Sequence, residues 1–315
     1  LWMSNGKQLR VHGLMVLVVF SWGMAWAVGR ILALGLPPMT GAWLRYVLTM
    51  VLFYLWFLGL ALKGNEVNWL PTGRQTWRTL TLIAITGVLG YQLFFMNGMR
   101  FTAAGDASLI ITFNPVFTVL LAAPMLGQQI TRKMFVGLFC GFIGVAVVTG
   151  WSPNTDIPFE DRILGDFMIL LASLNWAMTT NNTKRMMEQR NGEQKATTLE
   201  IVVWYSLIGT FLLTPFAAWE TWQHGIPEPT LTDWYAIIYL AAISTVLAYY
   251  WFAIGVEKLG ATAASSYIFL MPVFGVLGGV ILLNENIGWT LLLGFILIVI
   301  GVRVVQRESE ALRTA

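Results

Sequence analysis

Ala107-Ser108, Pro115-Val116-Phe117, Gly137 and Ile143-Gly144-Val145 return 157 positions further on as Ala264-Ser265, Pro272-Val273-Phe274, Gly294 and Ile300-Gly301-Val302. One constant offset across roughly forty residues of apolar chain marks an internal duplication. If each copy holds an odd number of membrane spans, the second copy lies upside down relative to the first. Inverted repeats place a solute site between the copies near the bilayer midplane and let the halves rock about it.

The composition sets the class. Apolar residues make up 57% of the 315 positions, charged residues 11%, and the mean hydropathy is +0.68. A soluble domain carries about 25% charge. A helical span needs about 20 apolar residues, and such windows recur at 12–34, 39–61, 76–99, 105–126, 131–150, 163–183, 199–219, 232–255, 260–283 and 287–306. Little chain is left for a separate soluble domain. The first window is long and is followed by others, so it reads as a span and not as a cleaved signal peptide.

Charge placement supplies the topology. Of the 19 Lys and Arg, only Arg30, Arg100 and Arg162 fall on one side of this arrangement and Arg45 lies within a span; the other 15 share the opposite side. The positive-inside rule then puts both termini in the cytoplasm. Trp151-Ser-Pro-Asn-Thr-Asp-Ile-Pro158 is a polar, proline-containing link between two groups of five spans. The expected fold is therefore an all-α integral membrane protein of ten transmembrane helices. It comprises a first five-helix repeat (1–150), an outer linker (151–162) and an inverted second five-helix repeat (163–315), with both termini cytoplasmic. Trp22-Gly-Met24 and Trp176-Ala-Met178 align the first span of each copy with a slightly different offset.

Catalytic chemistry is hard to place. Cys140 is the single cysteine, and His12 and His224 are expected at opposite ends of the membrane. There is no metal-ligand spacing, Gly-rich phosphate loop or nucleophile elbow. The expectation is a protein that is not an enzyme, with no cofactor, no metal and no nucleic-acid partner. Its partners would be the bilayer and a small-molecule substrate.

Candidate site residues come from groups that hydrocarbon would not tolerate. Pro115 and Pro272 each remove a backbone donor and clash with the carbonyl four residues back, that of Ile111 and Ile268. They are either hinges beside a cavity or static kinks. Asn175 and Thr179, with Asn182 beyond, recur at helical spacing next to Trp176. A buried amide costs several kcal/mol unpaired, so this stripe lines a cavity or glues helices together. Ser108, Thr112 and Ser265 form smaller polar patches that either face the cavity or bond back to their own helices. Arg45 costs ~2.5–3.5 kcal/mol at a span centre; it anchors a substrate carboxylate, snorkels outward or pairs with a carbonyl. Trp22, Trp26, Tyr91, Trp251 and Tyr267 lie within spans, and Trp22 and Trp176 stand out by their equivalence. Asp106 reads as an N-cap, and Glu257 and Glu285 as span-end residues. Gly137-Leu-Phe-Cys-Gly141, with Gly144 one turn on, is a small-residue seam for bundle packing or for a homodimer.

As a set, several motifs resemble the drug/metabolite transporter superfamily in its EamA-type branch. They are Phe20-Ser-Trp-Gly, Leu44-Arg45-Tyr46, Asn114-Pro115-Val116-Phe117, Leu126-Gly127-Gln128, Glu257-Lys-Leu-Gly-Ala-Thr-Ala-Ala, Leu270-Met-Pro-Val-Phe274 and Leu283-Asn-Glu285. Where that family usually has Gly-Glu after the fourth span, this chain has Gly-Gln128, whereas Glu285 is retained in the second copy. The resemblance implies a bacterial inner-membrane exporter or exchanger of small metabolites, amino acids among them, with a central cavity. Efflux of apolar cationic drugs is the second transport reading. A non-transporting scaffold or a lipid-modifying enzyme is the reading from another class.

Overall fold

The computed structural model describes residues 5–126, 131–188, 197–259 and 267–314. Among them every regular element is helical. In chain order they are α1 (Asn5–Gly35), α2 (Pro38–Leu62), α3 (Arg74–Phe101), α4 (104–126), α5 (Arg132–Gly150), α6 (Phe159–Glu188), α7 (Thr198–His224), α8 (231–259), α9 (267–283) and α10 (Trp289–Thr314). The first eight are long and apolar enough to cross a membrane, and Met271–Leu283 and Trp289–Val305 are shorter apolar helices. Of the expected span at 260–283, residues 260–266 lie outside the described residues.

Helix ends follow local chemistry. Pro38 opens α2 at a position where its missing N–H costs nothing. Thr197 with Glu200, and Thr230 with Asp233, form capping boxes at the starts of α7 and α8. Gly225 closes α7 at φ 83°, and Asn284 closes α9 in the left-handed region at φ 54°.

The outward faces are apolar: Val136, Phe139, Phe211, Ile281 and Leu292 are all exposed. The polar residues are inside, with Gln92, Asp106, Ser108, Asp166, Ser173 and Asn181 all buried. This pattern suits hydrocarbon as solvent, where a polar group must find its partner within the protein.

The small-residue seam is consumed within the chain. Gly137 and Gly141 lie against Gly301, and Gly144 lies against Gly294, so α5 and α10 run antiparallel with their backbones close. Cys140 adds an Sγ–H bond to the Leu297 carbonyl, 3.5 Å away. Gly137 and Gly294 are equivalent under the 157-residue offset, as are Gly144 and Gly301. Each glycine therefore meets the other's counterpart, the reciprocity of a two-fold contact. A homodimer would need a different face.

Neither proline lies deep inside continuous α-helix. Within α4 a 3-10 turn, Ile111–Phe113, separates Ala104–Ile110 from Asn114–Leu126, and Pro115 is the second residue after it. The Ile111 carbonyl that Pro115 frees accepts the Asn114 N–H instead. In α9 the 3-10 turn Tyr267–Leu270 precedes Pro272 in the same way. The irregularity at each proline is thus a tightened turn just before it, and in α4 that turn satisfies the carbonyl that a smooth kink would leave open.

Candidate functional site

Each copy carries a second irregularity that the sequence reading does not contain. The third helix of the first copy, α3, is wound as π-helix over Ile85–Gly90, and the third helix of the second copy, α8, over Tyr239–Leu247. Such wide turns expose carbonyls and concentrate at functional positions. Here both are used. Thr86 bonds Thr179 of α6 at 2.8 Å, and Gly87 and Gly90 leave room for the Thr179 and Asn175 side chains. On α8 the Ser244 carbonyl accepts the Trp22 indole N–H at 3.0 Å, and the Thr245 hydroxyl accepts Arg45 Nη2 at 3.0 Å.

A tyrosine follows each π segment, and each meets a tryptophan from the first helix of the other copy. Trp176 of α6 packs on Tyr91 of α3 at 5.4 Å and 56°. Trp22 of α1 packs on Tyr249 of α8 at 5.7 Å and 62°. Trp176 follows Trp22 by 154 positions and Tyr249 follows Tyr91 by 158, so the pairs are counterparts. Phe95 extends the first pair, stacking on Tyr91 at 5.5 Å and meeting Trp26 at 5.2 Å. Phe252 extends the second at 5.3 Å from Trp22. Trp22 and Trp26 thus point to different partners and do not stack on each other's rings as their spacing suggests.

Arg45 turns inward. Its guanidinium reaches α8 at Thr245 and sits 5.5 Å above the Tyr46 ring. Tyr91, Tyr205 and Tyr249 lie within its electrostatic range. Groups from α2 and α8 therefore contact one cation, with tyrosines of α3 and α7 within its electrostatic range, and the outward-snorkelling alternative is set aside. Of the expected site residues, the structure gathers Trp22, Arg45, Tyr91, Asn175, Trp176 and Thr179, although Asn175 and Thr179 also donate to carbonyls of their own helix, those of Leu171 and Asn175, and touch α3 at Gly90 and at Thr86 and Gly87. It adds Thr86, Phe95, Tyr205, Thr245 and Tyr249, which periodicity alone could not single out. The offset between Tyr91 and Tyr249 was the available signal.

Other expected residues go elsewhere. Ser108 and Thr112 donate to carbonyls of their own helix, those of Gly105 and Leu109, and Ser108 packs against Gly275 of α9. Both are buried helix-packing groups in this structure. Trp251 is half-buried two residues past Tyr249, and residues two apart do not share a helix face. The Tyr267 hydroxyl pairs with His12 Nδ1, tying the start of α9 to α1 near its N-terminus, away from the aromatic pairs. Ser265 lies outside the described residues.

Two carboxylates close the end of the bundle where α1 finishes and α4 begins. Glu285 accepts from the backbone N–H of Ala104 at 2.6 Å and Gly105 at 2.9 Å, and forms an ion pair with Arg30 at 3.1 Å. Two donors at the start of α4 thus find their acceptor on the α9–α10 turn. Asp106 is not the N-cap of α4; Ala103 holds that position without a side-chain bond. Asp106 is buried in the first turn, 3.5 Å from the Asn154 amide. Asn284 in its left-handed conformation turns the chain so that Glu285 points back, with the Glu285 N–H on the Gly279 carbonyl. Glu220 of α7 similarly accepts from the N–H groups of Met39 and Thr40 at the start of α2.

Long apolar helices with a polar interior define a multi-pass membrane protein, and the paired cross-copy contacts define one built on a duplicated plan. The profile of the EamA-like transporter family matches residues 9–150 and again 163–307. The chain belongs to the EamA-like transporter family, and is a transporter and not an enzyme. It is 24% identical over 237 residues to "Uncharacterized transporter YyaM" of Bacillus subtilis (strain 168), covering 75% of this chain and 74% of that one. It is 25% identical over 310 residues to a Salmonella typhimurium (strain LT2) protein named "Probable amino-acid metabolite efflux pump", covering 96% of each. A like-named Escherichia coli (strain K12) protein is 24% identical over 299 residues, 92% of this chain and 93% of that one. A solved structure titled "Crystal structure of protein" superimposes with a TM-score of 0.57 over 93% of this chain and 98% of its own, at 17% identity; that likeness concerns the fold alone.

Proposed function

We propose that this chain is an alternating-access exporter or exchanger of amino acids and related small metabolites in a bacterial inner membrane. It crosses the membrane ten times as two inverted five-helix repeats, 1–150 and 163–315, joined by the outer linker 151–162, with both termini in the cytoplasm. The carrying observation is the pair of counterpart contacts, Trp22 with Tyr249 and Trp176 with Tyr91, each following a π segment and each joining the two copies. A two-fold site of this kind presents the same surface to both sides, as rocking halves require. The counterpart prolines supply a weak point in α4 and α9. The names of the Salmonella and Escherichia relatives favour amino-acid metabolites.

The test is flux into and out of proteoliposomes, with phenylalanine, leucine, an amino-acid amide and tetraphenylphosphonium as solutes. Amino-acid flux that falls at least about tenfold in Trp176→Ala, with normal expression and melting behaviour, is the expected result. Flux of the lipophilic cation alone would replace this reading with drug efflux. No flux of any solute from well-folded protein would remove the transport reading of the central site.

A further inference from the structure

We infer that Arg45 and its tyrosines form a carboxylate subsite, so that the transported solute is an organic carboxylate with an apolar or aromatic body and needs no amino group. This rests on the transporter reading above and narrows its substrate class.

Arg45 lies in the apolar stretch Pro38–Leu62, where an ionised group is costly unless something uses it. Among the described residues the ion pairs are Arg30 with Glu285 and Lys133 with Glu308, so no carboxylate among them pairs with Arg45. A guanidinium offers five N–H donors in a planar fork. Nη2 is bonded to Thr245, while Nε is buried without an acceptor. A buried charged donor left open is expensive to keep. A bidentate carboxylate uses two parallel N–H groups of the fork, and would take Nε together with an adjacent Nη in a state where the packing over Nε has opened, since Nε has no exposed surface here.

The surroundings choose the rest of the solute. Beside the direct contacts of Arg45 to Thr245 and the Tyr46 ring, the hydroxyls of Tyr91, Tyr205 and Tyr249 lie within electrostatic range of it and are neutral groups able to donate to an oxyanion. Beyond them stand the rings of Trp176, Phe95 and Trp22. Among the described residues no acidic side chain belongs to this group, so an ammonium has no counter-ion here. A cation would meet Arg45 at close range and be repelled.

The experiment is inhibition of counterflow, with full-length protein in proteoliposomes, by five probes of one shape: phenylalanine, phenylpyruvate, 3-phenylpropanoate, phenylalaninamide and phenethylamine. The three carboxylates should compete within about tenfold of one another, and the amide and the amine should be at least about tenfold weaker. Arg45→Gln should weaken the carboxylates by about 10- to 100-fold and should not weaken the amide or the amine, whose repulsion by the guanidinium it removes, and Arg45→Lys should keep part of the carboxylate affinity, since it retains the charge without the fork. Should Arg45→Gln fail to fold, thermal stabilisation of the unaltered protein replaces it: 3-phenylpropanoate should raise the melting temperature and phenethylamine should not. Equal potency of amide, amine and carboxylates, an unchanged Arg45→Gln, or no response to any probe would overturn the subsite. Transport of 3-phenylpropanoate without phenylalanine would keep the subsite and reject the amino-acid reading. Transport of phenylalanine and its amide alike would do the reverse.

Discussion

Glu285→Gln tests whether the carboxylate on the α9–α10 turn holds one end of the transporter shut. The substitution keeps size and shape and removes the charge. Three contacts change: the Arg30 ion pair at 3.1 Å and the N–H bonds from Ala104 at 2.6 Å and Gly105 at 2.9 Å. A hydrogen bond to a charged group contributes about 1.5–3 kcal/mol and a neutral one about 0.5–1.5, so each contact weakens by roughly 1 kcal/mol. Both side chains are mostly buried, at 13% and 8% exposure, so solvent screening trims the total only modestly. The closed arrangement should lose about 2–3 kcal/mol, or about 30- to 150-fold in population relative to a state in which these groups are apart. The bundle should stay folded, because Glu220 on the start of α2 and Asp166 on Thr102 still tie the same end together. The assay is labelling of Ser108→Cys, fully buried one turn below the Glu285 contact, in a Cys140→Ala background. A membrane-impermeant maleimide applied from outside should label it at least about tenfold faster in the Glu285→Gln variant than with the carboxylate in place. Equal labelling rates in a folded protein would show that Glu285 closes nothing that moves.

Pro115→Ala and Pro272→Ala restore an N–H at the two 3-10 turns; each should lower turnover by about three- to tenfold with little change in affinity, and should shift cavity accessibility toward opposite faces. Unchanged turnover in both would make the prolines static. Gly144→Leu drives a side chain into the Gly294 carbonyl and Ile298 of α10, and should cost ~1–3 kcal/mol or more, read as a fall of several degrees in melting temperature; Phe139→Leu, on an exposed position, should not. Cysteines at Asp156 and Pro229 should label from outside intact cells and one at residue 191 should not; labelling of all three would refute the ten-span topology.

The duplication was legible because a helix in hydrocarbon must bury any backbone or polar anomaly against protein, so prolines and small residues stay where the packing needs them. Gly137, Gly144, Gly294 and Gly301 show this: their spacing marks a seam, and only the structure says that the seam joins α5 to α10 and is not free for a second chain. Arg45 stood out by its cost, and Trp22 and Trp176 by their equivalence. Periodicity could not separate a polar side chain bonded only to its own helix from one that also meets another: Ser108, Thr112 and Thr179 all bond back to their own helix, and of the three Thr179 alone also reaches a hydroxyl of another, at Thr86.

Sequence by itself determined the class of protein and the offset that relates its copies. Each follows from composition or local order along the chain. Tertiary structure decided which partners the charged and aromatic groups meet. The π turns in α3 and α8, the cross-copy Trp–Tyr pairs and the setting of Arg45 depend on which helices are neighbours. Glu285 makes the same point, a span-end residue by position that becomes the acceptor for a helix 180 residues away. Side chains so far apart in sequence share no local pattern, because only packing brings them within hydrogen-bond reach.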